Sequence, residues 1–300
     1  MSVPAAFIGV IVIWSTTPLA IKWSGEGPGF LFAVSARMFI GTVLCLVLMR
    51  AMRVALPWHR AARLTYVAAA SGIYASMMCV YWAAQHIPSG FISVLFGLTP
   101  LVTGVFAAVW LSEKSFTRPK LLGMAAGFAG LLLIFGGGLS LGMASVVGIA
   151  AVLLSVVLHA VSAVWVKRID AQLPAMAVTG GGLLLALPCY LVTWLLFDRA
   201  WPAVLPAKAL WSIVYLGVFG SVIGFILYYH VLKHREAGHT ALITLITPVL
   251  ALLLGNTLNG ETVSATVAGG TALILAGLLL HQWGGDAYAL ARRRLMRSSA

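Results

Sequence analysis

The sequence predicts an all-α polytopic membrane protein: ten transmembrane helices in two five-helix repeats of opposite orientation. Three observations predict it. The 300 residues are 61% hydrophobic and only 9% charged, where a soluble domain carries roughly 25% charged residues. The apolar residues gather in runs of about 20, the length a helix needs to cross a bilayer core. The two halves of the chain also match at a nearly fixed offset.

The runs are read at 4–23, 30–50, 64–86, 88–111, 119–137, 144–166, 175–197, 208–230, 237–258 and 264–284. Each must be helical, because backbone polar groups in lipid have to be satisfied within their own segment. The first run is long, contains Pro18 and leads into further spans, which argues against a cleavable signal peptide. Its boundaries divide the chain into a first repeat at 1–138, a second at 139–285 and a basic tail at 286–300.

The net charge of +12 fits this reading better than nucleic-acid binding, because basic residues collect in cytoplasmic loops. With the N-terminus inside, the inner segments hold Arg50, Arg53, Arg60, Arg63, Lys114, Arg118, Lys120, Lys167, Arg168, Lys233, Arg235, Arg292, Arg293, Arg294 and Arg297. The outer segments hold only Lys22, Arg199 and Lys208. Fifteen against three places both termini in the cytoplasm, in a membrane expected to be a bacterial inner membrane.

A shift of 148 residues lays Gly90, Thr99, Pro100 and Glu113 on Gly238, Thr247, Pro248 and Glu261. After one deletion, a shift of 147 lays AGLLL at 129–133 on AGLLL at 276–280, and Gly123 on Gly270. Each repeat holds five spans. Five is odd, so the second repeat enters the membrane inverted, the design of many secondary transporters with a midplane site between repeats. Thr99-Pro100 and Thr247-Pro248 fall near the middle of spans four and nine. Proline removes one backbone hydrogen bond and kinks a helix, and the preceding threonine can satisfy the freed carbonyl. Gly97, Thr99, Pro100, Thr247 and Pro248 are read as a hinge or cavity-shaping set, with a static kink as the alternative.

The stretch AAQHIPSGFISVLFGLTPLVTGVFAAVWLSEK and the following LLGMAAGFAGLLLIFGG resemble the EamA repeat of the drug/metabolite transporter superfamily. The features that carry the resemblance are the Pro88-Ser89-Gly90 turn, Pro100, Glu113 and Gly123/Gly127/Gly130. Gly238, Pro248, Glu261 and Gly270/Gly277 repeat them, and Arg37 matches an arginine common in span two. Within the superfamily the aromatic interior is most similar to YddG-type amino-acid exporters. The resemblance implies a ten-helix basket around a central cavity, lined by spans one to four and six to nine, with five and ten peripheral.

No Asp or Glu lies deep in a span: Glu26, Asp198 and Glu261 fall at the outer edge, and Glu113, Asp170, Glu236 and Asp286 at the inner edge. Exchange of lipophilic cations for protons through a buried carboxylate is therefore disfavoured. The intramembrane basic groups, Arg37, His159 and His230, suit a substrate bearing a carboxylate. Arg37 either contacts that carboxylate or plays a structural part by snorkelling or tying helices together. His159 either contacts substrate, with a possible switch in protonation, or is a bonded core histidine.

Tyr74, Met78, Tyr81 and Gln85 share one face of span three, with Trp82 beside them. Tyr229 matches Tyr81 by the repeat, and Trp14 sits at the middle of span one. Trp14, Tyr74, Met78, Tyr81, Trp82, His159 and Tyr229 form the candidate substrate-binding set, helix packing being the alternative for each aromatic. Trp58, Trp110, Trp201, Trp211 and Trp283 read as interfacial belt residues.

Cys45, Cys79 and Cys189 lack metal-ligand spacing, and no GxxxxGK[ST] loop occurs. No cofactor or metal is expected. The function expected is export of amino acids, aromatic ones favoured, by alternating access. Export of another small metabolite or drug is the first alternative; a membrane-embedded enzyme is disfavoured by the lack of a buried acid–base pair. The expected partners are a small-molecule substrate and the lipid bilayer, not nucleic acid; the coupling ion and oligomeric state stay open.

Overall fold

Long apolar runs leave the backbone one solution in lipid, and the chain takes it. The structure, a computed structural model, describes residues 2–112, 118–136, 143–237, 240, 243–277 and 279–280, and no strand occurs among them. The helices are α1 (Val3–Gly25), α2 (Phe30–Ala51), α3 (Arg60–Ala83), α4 (Ser89–Leu111), α5 (Arg118–Gly136), α6 (Met143–Ile169), α7 (Ala175–Phe197), α8 (Ala207–His234), α9 (Ile243–Asn259) and α10 (Ala265–Gly277). Seven of them (α1, α2, α3, α4, α6, α7 and α8) are long and apolar enough to cross a membrane. Glu113, Lys114, Gly238, Trp283, Asp286 and the tail 286–300 lie outside the described residues.

Several of the sequence's hydroxyls are satisfied within their own helices. Ser15 donates to the carbonyl of Ile11, Thr17 to Ile13, Thr42 to Met38 and Thr65 to Ala61, each within 2.9 Å. This bonding back to the preceding turn keeps polar side chains tolerable in an apolar medium. The described start of α3 precedes the predicted one at 64, because His59 Nδ1 accepts from the amide of Ala62 at 3.3 Å and caps the helix.

Two helices carry π-helical turns, at Gly72–Ser76 in α3 and Leu216–Ile223 in α8. Such turns are rare and cluster at functional sites. A third, α4, is broken at Gly97–Leu98. Its second part starts with Thr99 and Pro100 in the first turn, where proline costs nothing. The Phe96 carbonyl, which Pro100 cannot serve, accepts the Thr99 hydroxyl at 2.6 Å. Pro248 lies inside α9, and a Cβ on Gly97 would sit 3.6 Å from the Pro248 ring. The break in α4 therefore faces the proline of α9.

Eight helices close into a ring through their most extensive contacts, in the order α1, α9, α4, α6, α3, α7, α2, α8 and back to α1. Every neighbour in this ring comes from the other half of the sequence. Outside it, α5 and α10 meet along glycines. A Cβ on Gly130 would lie 2.6 Å from the Gly270 carbonyl, and one on Gly277 would lie 2.6 Å from that of Gly123. Only residues without side chains allow this approach.

Candidate functional site

The ring encloses a cavity, and seven of its eight helices line it. Trp14, Thr17, Pro18 and Ile21 come from α1, and Arg37 from α2. Met77 and Val80 come from α3, and Ile92, Ser93 and Phe96 from α4. The wall is completed by His159 of α6, Gly220 and Phe225 of α8, and Thr244 and Thr247 of α9. Its volume is about 70 Å³, space for roughly five waters.

One wall is aromatic. The Trp14 ring lies 5.1 Å from Tyr228 and 5.7 Å from His159, and His159 lies 5.3 Å from Tyr228 and 6.1 Å from Phe96. These separations are those of favourable ring pairs. Glycine makes room for it: a Cβ on Gly224 would sit 3.4 Å from Trp14 Nε1.

The charged feature of the lining is Arg37. It is 1% exposed, so it does not snorkel. Its Nε donates to Ser221 Oγ at 2.9 Å and one terminal nitrogen to the Tyr81 hydroxyl at 3.4 Å. Its carbon Cζ lies 5.8 Å from the Tyr81 ring centre. Arg37 has no ion-pair partner among the described residues. A buried cation without an anion is costly by several kcal/mol. The guanidinium borders the cavity, so an anion entering there would complete it.

Of the residues singled out from the sequence, the structure brings Trp14, Arg37, His159 and Thr247 to this cavity. The aromatic stripe of α3 is elsewhere. Tyr74 shares a 2.6 Å hydrogen bond with Thr193 of α7, and its ring meets Tyr190 at 5.0 Å. Tyr81 stands behind Arg37. Met78 packs against the core, and Trp82 lies 4.4 Å from the His86 ring. Hydroxyls that find partners across a helix interface turn the stripe away from the cavity, and α3 instead presents Met77 and Val80, one position away. Tyr229 borders a second pocket at the opposite end, with Lys167, Asp170 and Lys233. Gly97, Thr99, Pro100 and Pro248 shape the breaks without bordering the cavity.

Sequence reasoning missed Thr17 and Pro18, although they repeat the Thr-Pro dipeptide already noted in spans four and nine. It also missed Tyr228 and Phe96, each one residue from a position singled out. Ser221 and Phe225 gave no signal. Of the predicted belt residues, Trp58, Trp201 and Trp211 are exposed, and Trp110 is half-buried beneath the Arg168 guanidinium at 5.9 Å.

Residues 2–136 and 146–281 each match the EamA-like transporter family. The chain belongs to that family. Two relatives place it further. An uncharacterized transporter of Archaeoglobus fulgidus is 28% identical over 196 residues, covering 65% of this chain and 68% of that protein. A protein of Streptantibioticus cattleyicolor named "Probable terminal-alkyne amino-acid exporter" is 27% identical over 278 residues, covering 92% and 91%. A solved crystal structure superposes with a TM-score of 0.71 at 24% identity, over 97% of this chain and 98% of the other; that likeness concerns the fold alone. The EamA protein described here is thus a multi-pass membrane transporter of two family repeats.

Proposed function

We propose that this EamA transporter exports amino acids, aromatic ones favoured, by alternating access through ten spans in two inverted repeats. One observation carries the substrate class: Arg37, a buried cation without a carboxylate partner among the described residues, borders a cavity that Trp14, His159 and Phe96 also line. A substrate carboxylate supplies the missing charge at Arg37, and its apolar part lies against the rings. The name of the Streptantibioticus relative supports the amino-acid class. The overlap of the π-turns of α3 and α8 under the 148-residue shift supports the repeat. The excess of fifteen Lys and Arg over three in alternate loops of the sequence supports cytoplasmic termini, in an inner membrane.

The cavity favours a second reading as well. Its volume is about 70 Å³, so small aliphatic amino acids or other small carboxylates require less widening of the ring of helices than tryptophan does.

The test is uptake of labelled tryptophan, phenylalanine and alanine into proteoliposomes, with and without a pH gradient. Saturable uptake of the aromatics supports the first reading; uptake of alanine alone supports the second. Uptake that needs the pH gradient points to proton coupling, and uptake without it to facilitated diffusion. Arg37→Gln is expected to weaken apparent affinity roughly 100-fold, and unchanged affinity in folded protein would remove the carboxylate contact.

A further inference from the structure

A single carboxylate gathers the polar contacts at one end of the cavity. Glu261, in the connection between α9 and α10, takes the amides of Ser89 and Gly90 at 3.0 and 3.1 Å. It also accepts the Ser89 hydroxyl at 2.9 Å and the Asn259 amide at 3.0 Å. Lys22 of α1 stands 3.6 Å away, and the Glu261 side chain is only 8% exposed. These bonds satisfy the first free amides of α4, where a helix end attracts negative charge. They also join three helices, since Trp23 of α1 donates to Asn259 of α9 at 2.9 Å. The helices approach closely here: a Cβ on Gly90 would sit 2.7 Å from Leu252, and one on Gly255 2.5 Å from Glu261 itself.

This cluster lies directly over the cavity. Lys22 follows Ile21, and Ser89 is one turn from Ile92 and Ser93, all of which line it. Ser89 and Ile92 are both 1% exposed, so the start of α4 is buried at this end. We propose that Glu261 is a positioning residue of the transport cycle: it latches the start of α4 to α9 and α1, and the cavity opens on this side only when the latch releases. The proposal rests on the transporter reading but not on which substrate is carried.

The test replaces the native cysteines, introduces Ser93→Cys in the cavity, and follows its labelling by a membrane-impermeant maleimide in vesicles of known orientation. Glu261→Gln is expected to raise labelling from the Glu261 side roughly tenfold, the scale of hydrogen bonds to a charge, and to lower labelling from the opposite side. Ser89→Ala, which removes one bond of the set, is expected to raise it about twofold and serves if Glu261→Gln does not fold. Unchanged labelling, or an equal rise from both sides, overturns the latch. A sided shift in a protein that transports none of the tested amino acids keeps the latch and removes the substrate reading.

Discussion

The two ends of the molecule are tied in different ways. At the Glu261 end the polar bonds run between helices of different halves: Lys22 and Ser89 to Glu261, Trp23 to Asn259, and Lys208 to Glu26 at 3.0 Å. At the opposite end the lysine bonds stay within the second half. Lys167 donates to the carbonyls of Leu232 and Arg235 at 3.0 and 2.9 Å, and Lys233 donates to those of Gln172 and Leu173 at 3.1 and 3.2 Å. The crossings there include the Arg168 contact with the Trp110 ring and the hydrogen bonds of Cys45 to the Met176 carbonyl and of Ser162 to that of Ala68. The first arrangement must break if the halves move apart at that end. The lysine bonds of the second travel with their own half and do not oppose its movement.

Three experiments sharpen this contrast. The largest effect is expected from the breaks between the two ends. Because every ring neighbour belongs to the other half, rigid rocking of one half against the other would disrupt the whole ring; bending at Gly97 and Pro248 would not. Replacing both Pro100 and Pro248 with alanine is expected to cut the transport rate roughly tenfold while leaving insertion and thermal stability near normal. A normal rate in folded protein would show the breaks to be static.

A smaller effect is expected from Lys167→Gln. It removes a cation from the C-terminal carbonyls of α8, worth about 0.3–1 kcal/mol, so thermal unfolding shifts down by a few degrees. Sided labelling of the cavity stays unchanged, unlike in the latch variants. A sided shift here would erase the distinction between the ends.

The smallest effect is the response to pH. Burial pushes the Glu261 carboxyl up, but the amides of Ser89 and Gly90, the Ser89 hydroxyl and Asn259 outweigh it and hold it below the usual carboxylate range. Lys22 is the charged group facing it, with the Lys208–Glu26 pair one layer out. A carboxyl lowered in the folded state stabilises at all pH above its ordinary value, near 4.3, and loses that contribution as pH falls through the lowered one. The ratio of labelling from the Glu261 side to labelling from the opposite side, in which the thiol's own titration cancels, should therefore be flat from pH 8 to 5 and rise only in stronger acid. A rise near neutrality would assign control of this end to another group.

The membrane class and the helical spans were legible because they depend on run length. Trp14, Arg37 and His159 were legible because mid-span polar or aromatic groups stand out against an apolar background. The α3 stripe misled because periodicity finds a shared face without saying which neighbour it meets; Tyr74 met Thr193 of a distant helix. Glu261 was read as an edge residue, since its partners Ser89 and Gly90 are 171 or more residues away and only the packed ring brings them together.

The π-turns of α3 and α8 have a consequence for anyone who edits this chain. Each accommodates surplus backbone within a continuous helix, and they overlap when one half is laid on the other. Removing one residue from either would restore a regular helix and leave the residues beyond it facing as before, whereas removing one residue elsewhere in the same helix would rotate everything beyond it by about 100°. Met77 and Val80 would then swing off the cavity in one case, and Phe225 in the other. A single-codon deletion should therefore be better tolerated within the π-turns than just before them, and chimeras built from the two halves must count the surplus residue.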